Sequence, residues 1–202
     1  MWVVAGAPGA GKSTAADVLR RRLRPVPALL DKDTLFDGLE GEVLAAHGRP
    51  EGEREGDWYD EHVKRHEYAA LAAAAREIRA AGCPVLLVAP FTTALRHADA
   101  WAAFEAGLGG PPVRLVWVGC DPGTLRRRIE ARGRVKDAPK LADFAAFVAR
   151  VRPFEPPVVP HLTVDTSDGA APVADQLDGQ PAEPTDEPIA ERLDEALPPG
   201  DV

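Results

Sequence analysis

The chain has 202 residues, 45% of them hydrophobic, which is ordinary for a globular protein and enough to fill one domain core. No stretch approaches the ~18 uninterrupted apolar residues of a membrane span. The N-terminus has no basic-then-apolar leader pattern, and two cysteines, Cys83 and Cys120, neither found a disulfide scaffold nor match a metal spacing. A soluble cytoplasmic protein with free thiols is expected. The net charge of −8 is unevenly spread, since Asp168 to Val202 holds ten acidic residues and one basic. The body at 1–167 is therefore nearly neutral, which makes a nucleic-acid partner a poor expectation. The proline-rich acidic tail at 168–202 is expected to be disordered, or weakly helical near 189–197.

In chain order, Met1 to Ala5 reads as a buried strand. A helix from Lys12 follows, with Ala15, Val18, Leu19 and Leu23 on one stripe. Val26 to Leu30 is a second strand ending in Asp31-Lys32-Asp33, and Thr34 to His47 is helical in part. Residues 48–57 form a polar loop. Trp58 to Ala81 is a long helix with Tyr59, Val63, Ala70, Ala74 and Ile78 inward, capped by Gly82. Pro84 to Ala89 makes a third strand, and Ala94 to Ala106 a helix. Val113 to Gly119 is a fourth strand, after which Asp121 and Pro122 supply the N-cap and first-turn chemistry of another helix. Lys140 to Arg150 is a further helix, and His161 to Val164 a fifth strand. Alternation of apolar strands with helices implies an α/β fold with a parallel sheet covered on both faces.

Gly6-Ala7-Pro8-Gly9-Ala10-Gly11-Lys12-Ser13 satisfies G-x-x-x-x-G-K-[ST] between the first strand and the first helix. Its glycines let backbone N–H groups turn toward phosphate oxygens at a helix N-terminus. Lys12 is expected to reach the terminal phosphates, Ser13 to offer its hydroxyl to Mg²⁺, and Thr14 to complete the loop. ATP and Mg²⁺ are the expected ligands. Asp31 and Asp33 follow strand two, where carboxyl ends face the ligand crevice. Asp33 is the expected acceptor-orienting base, with helix capping as its structural alternative, and Asp31 is a candidate near the metal. Arg128 and Arg132 share one helix face and are expected to close over the γ-phosphate, whereas Arg126 and Arg127 read as solvated. Strand three ends Val88-Ala89-Pro90, without an acid to help hold Mg²⁺. His62 and His66 face one way on the long helix, but a third ligand is missing, so packing is expected of them.

Residues 6–14 (GAPGAGKST), the DKD run at 31–33 and the segment at 120–141 together resemble small P-loop kinases of the AAA-family ATPase type. These are related to polynucleotide kinase, gluconate kinase, chloramphenicol phosphotransferase and zeta toxin. The resemblance implies a P-loop NTPase three-layer sandwich over 1–167, with a five-stranded parallel sheet in the order 2-3-1-4-5 and a helical lid. It implies that Asp33 contacts the accepting hydroxyl and that Arg128 and Arg132 are the lid arginines. Leu35 stands where gluconate kinase has a histidine, and Leu35-Phe36 where polynucleotide kinase has an arginine. A phosphotransferase acting on a small-molecule hydroxyl is the resulting expectation. A nucleotide or nucleic-acid-end kinase, or a non-catalytic ATP-binding switch, is the alternative.

Overall fold

Short apolar runs build the centre of the molecule. The computed structural model describes residues 1–178, in which Trp2–Ala5 (β1), Ala28–Asp31 (β2), Val85–Val88 (β3), Arg114–Gly119 (β4) and Leu162–Asp165 (β5) form one sheet. All pairings are parallel and the order is β2-β3-β1-β4-β5, as the resemblance implied. Successive side chains of a strand point to opposite faces. Val4, Leu86 and Val88 accordingly fall in one core layer, and Val3, Val85 and Leu87 in the other. The first layer is closed by Lys12–Arg22 (α1), Pro122–Arg132 (α6) and Phe144–Val151 (α8), through Leu19, Leu125, Ile129 and Phe147. The second is closed by Arg65–Ala80 (α4) and Ala98–Gly107 (α5), through Leu71, Ala75 and Trp101. Two covered faces explain why β1 and β3 are apolar throughout, whereas the edge strand β5, Leu162-Thr163-Val164-Asp165, alternates apolar with polar.

The remaining helices are Lys32–Ala46 (α2), Asp57–Tyr59 (α3), Ala138–Ala142 (α7) and Val173–Leu177 (α9). The expected long helix after residue 57 is present but holds a π-helical segment at Asp60–Lys64. Its wider turn rotates everything that follows, so the inward row runs Tyr59, Val63, Glu67, Leu71, Ala75. Ala70, expected on that row, is exposed, and a carboxylate occupies the core position instead. The helix expected over 140–150 breaks at Asp143, whose side chain accepts from the Ala146 N–H at 2.9 Å to start α8. The helix expected from Ala94 starts at Ala98, because residues 91–97 serve as a loop over the sheet's carboxyl edge. Asp121 and Gly133 cap α6 as their sequence chemistry requires.

The chain expected to leave the domain at Asp168 continues as ordered backbone to Asp178, and Leu177 of α9 is buried against the α1 side of the sheet. The rest of that expected tail, 179–202, with the helical tendency read near 189–197, lies outside the described residues. No helix among the described residues is long and apolar enough to cross a membrane. Cys83 and Cys120 are free thiols, Cys83 exposed.

Candidate active site

The turn from β1 into α1 is a loop of glycines in conformations closed to other residues. Gly6, Gly9 and Gly11 have φ of 149°, 89° and 88°. A Cβ at Gly6 would stand 2.2 Å from the Val118 carbonyl oxygen in β4, and one at Gly11 would press on Thr166 at 3.2 Å. Close packing against the neighbouring strands thus shapes the loop. Lys12 folds back to donate from Nζ to the Ala7 carbonyl at 3.0 Å. Burial pulls its pKa down to about 8, opposed by Asp33 and Asp31 and assisted by Arg132 and Lys136. The predicted loop lysine, both acids and one lid arginine therefore share one electrostatic environment.

They also share one cavity. It has a volume of about 730 Å³, within the range of small-ligand sites, and is lined by the loop, Lys12, Ser13, Thr14, Asp31, Asp33, Arg128 and Arg132. Ser13 and Thr14 are exposed in the first turn of α1. Asp31 ends β2 opposite Val88, and its Oδ1 accepts from the Thr34 N–H at 3.1 Å. The cap of α2 is therefore Asp31 and not Asp33, which leaves the Asp33 carboxylate outside the capping bond. Asp33 instead meets cations from the segment after α6: Lys136 at 3.5 Å and Arg134 at 3.9 Å.

The two arginines expected to form a lid are held by residues to which the sequence reading gave no role. Arg128 donates to the Thr166 carbonyl at 2.6 Å and to its hydroxyl at 2.9 Å, and that hydroxyl donates to the Ala10 carbonyl of the phosphate loop at 2.8 Å. Thr166 thereby couples α6 to the loop. Arg132 binds Asp137 at 2.8 Å through Nε, and Asp137, only 1% exposed, also holds Lys140 at 2.8 Å. Arg126 pairs with Glu130 on the exposed face of α6, and Arg127 with Thr124 and Asp168, as expected of solvated positions.

A buried ionic network underlies the Asp33 side of the cavity. Lys32 Nζ lies 2.5 Å from Glu40 and 2.9 Å from Glu67, while Arg54 pairs with Glu40 and, at 2.6 Å, with Asp37. Asp37 in turn holds Lys136 at 2.7 Å, and Tyr59 donates to Glu67 at 3.4 Å. Burial opposes the Lys32 charge, yet the Glu67 and Glu40 carboxylates outweigh it and hold its pKa above the usual lysine range. Glu67 is pushed up by burial and by its hydrogen bond with Glu40. The partners come from four separate segments, so only the charge pattern at 31–33 gave any sequence signal of them. His62, by contrast, stacks on Trp58 at 4.9 Å and is exposed. No group of three or more His, Cys, Asp or Glu among the described residues could hold a metal by itself.

This fold and loop define a nucleotide-binding protein of the phosphate-loop class with a kinase-like architecture. The chain belongs to the family described as "AAA domain", whose model matches residues 1–157. Solved structures share the fold at low identity. A provisionally assigned kinase from Chloroflexus aurantiacus J-10-fl is 22% identical, covering 82% of this chain and 84% of its own, with a TM-score of 0.55. A sugar kinase from Janibacter sp. HTCC2649 is 17% identical, covering 87% and 88%, with a TM-score of 0.56. No curated protein matches the sequence significantly.

Proposed function

We propose that the protein is an ATP- and Mg²⁺-dependent phosphotransferase that moves the γ-phosphate to a hydroxyl of a small molecule. One observation carries the reading: Lys12 of the phosphate loop and the uncapped Asp33 carboxylate line one cavity, with lid cations at its side. In that geometry the acceptor oxygen attacks the γ-phosphorus and forms the new P–O bond. The bond to the bridging oxygen breaks, ADP leaves with the electron pair, and the hydroxyl proton passes to Asp33. Lys12 and the loop N–H groups hold the phosphates, and Arg128 and Arg132 stabilise the charge that develops on the transferring group.

The donor set suits Mg²⁺. Ser13 supplies a hydroxyl and Asp31 a carboxylate with one oxygen outside its capping bond, and a cation that keeps several waters needs only one or two protein ligands beside phosphate. Ser13 and Asp31 would hold the ion, which would supply positive charge against the phosphates. The body at 1–167 carries the chemistry in this reading, a cytoplasmic location suits its ATP supply, and a recessed cavity suits a small acceptor better than a nucleic-acid strand.

The sugar kinase sharing this fold supports the class of reaction, though not the acceptor. A mass-spectrometric screen of a broad alcohol panel with ATP and Mg²⁺ tests the proposal. A phosphorylated product made by the wild type and not by Lys12→Ala supports it. Nucleotide binding without transfer to any of the panel contradicts it.

A further inference from the structure

After β3 the chain crosses the rim of the phosphate cavity as Pro90-Phe91-Thr92-Thr93, and Phe91 there is held in a left-handed conformation at φ 50°. A bulky residue adopts that conformation only where its surroundings impose it, and such residues cluster at ligand clamps. Phe91 is 2% exposed, and its N–H donates to the Tyr68 hydroxyl at 3.3 Å. Its ring meets Tyr68 edge-on at 5.4 Å between centroids and Phe104 at 5.0 Å. These three rings, with Ala94 and Ala100, form one side of a second recess of about 340 Å³. The recess shares Asp60, Lys64, Tyr68, Thr92 and Thr93 with the phosphate cavity, so the two spaces adjoin and Tyr68 stands between them.

The recess offers mainly apolar surface. Of its charged edge residues, Asp60 and Lys64 pair with one another at 3.0 Å and Arg65 Nε donates to His66 Nε2 at 3.1 Å, while the rest of the lining is aromatic, alanine and threonine. An apolar cavity of ~150 Å³ already accommodates benzene, so this volume suits one ring with substituents. At the junction, the described hydrogen bond uses the Tyr68 oxygen only as an acceptor, and burial pushes the phenol up to about 12, which keeps its proton on near neutral pH. The phenolic O–H is then a donor where the recess meets the cavity that Asp33 also lines.

Taking the phosphotransferase reading as its basis, we propose that the recess binds the non-reacting part of the acceptor. The acceptor is then an alcohol bearing an aromatic or compact apolar group, with its hydroxyl oriented by Tyr68. A polyhydroxylated acceptor would leave its hydroxyls without partners against these rings, at a cost that a matched apolar group avoids.

NMR of the full chain with Mg²⁺ and the unreactive analogue AMP-PNP tests this, using benzyl alcohol, toluene and glycerol as probes. AMP-PNP is expected to move the amides of Gly9, Gly11 and Ser13, which reports on the nucleotide site separately. Benzyl alcohol and toluene are expected to move the Ala94 and Ala100 methyls and the Thr92 and Thr93 amides; glycerol is not. Ala100→Trp is expected to abolish those shifts by filling the recess. Tyr68→Phe is expected to weaken benzyl alcohol about fivefold, the value of one neutral hydrogen bond, and to leave toluene unchanged. That split separates hydroxyl recognition from a merely structural loss. A response at the phosphate loop with none at the recess overturns this inference alone, as does equal binding of glycerol or equal weakening of both aromatic probes by Tyr68→Phe. Silence at the phosphate loop overturns the nucleotide reading, and this inference falls with it.

Discussion

The two walls of the cavity are built by different physics. The donor wall of the proposed reaction is backbone: Gly6, Gly9 and Gly11 sit at positive φ, packed against β4, α6 and Thr166. The acceptor wall of the proposed reaction is side chain: Asp33, Arg54 and Lys136 line it, tied together through Asp37, over the buried Lys32, Glu40 and Glu67. A backbone wall gains its shape from steric constraint and keeps it in any ionic environment. A wall of ion pairs depends on each partner and on salt, and it can be rearranged by a ligand that competes for its charges.

The largest expected effect breaks the acceptor wall from beneath. Lys32→Met removes the cation shared by two buried carboxylates, and breaking such a pair is expected to cost about 3 kcal/mol of stability, read as a lowered Cm in urea. On the donor wall, Lys12→Ala is expected to do the reverse: turnover falls by about 10²–10³-fold, the scale for one stabilising donor, without a lowered Tm. A buried ammonium with one carbonyl partner is no asset to the fold. The contrast fails if Lys12→Ala unfolds the protein, or if Lys32→Met leaves Cm unchanged.

A smaller effect concerns pH. The Lys12 pKa in the folded state, about 8, lies below the ordinary lysine value of 10.5. The unfolded chain thus binds the extra proton between those values, so this residue contributes a stability that rises with pH from 8 to 10.5. Phosphate binding wants the charged form. In steady-state kinetics kcat/KM for ATP is expected to fall about tenfold per unit above pH 8, while kcat, set by the nucleotide-bound enzyme, holds to higher pH. Lys12→Arg is expected to remove the fall in kcat/KM, since a guanidinium stays charged. The smallest effect is at Lys136→Ala. It cuts the ties from the segment after α6 to Asp37 and Asp33, which are partly exposed, so about 0.5–1 kcal/mol of salt-sensitive stability is expected, measurable as a ΔCm that shrinks in 1 M NaCl.

This difference between the walls also decided what the sequence could reveal. Gly6 to Ser13 spell out a backbone conformation in their own spacing, and the apolar runs at 2–5, 85–88 and 114–119 announce buried parallel strands, so donor wall and sheet were both legible. Asp33 was legible as a carboxylate at a strand's end, but its freedom from capping was not, since Asp31 and Asp33 are equally good caps on paper. Glu67 was hidden by the π-helical segment at 60–64, which shifts the inward face by a rotation no apolar period encodes. Thr166 and Asp137 were missed because each is an unremarkable residue until the fold brings it to Arg128 and Arg132. The recess beside Phe91 had no motif at all. It arises from a backbone turn and two helices packed around it.

The most direct test of the account compares wild type and Asp33→Asn at pH 7 and again at pH 6, because the Asp33 carboxylate helps to keep Lys12 protonated and its loss lowers that pKa from about 8. ATP affinity is measured by titration calorimetry, and phosphate transfer by mass spectrometry with the alcohol panel. The account predicts ATP binding within about twofold of wild type and transfer reduced by about 10²–10⁴-fold, the range for a lost general base. Undiminished transfer by Asp33→Asn would contradict it.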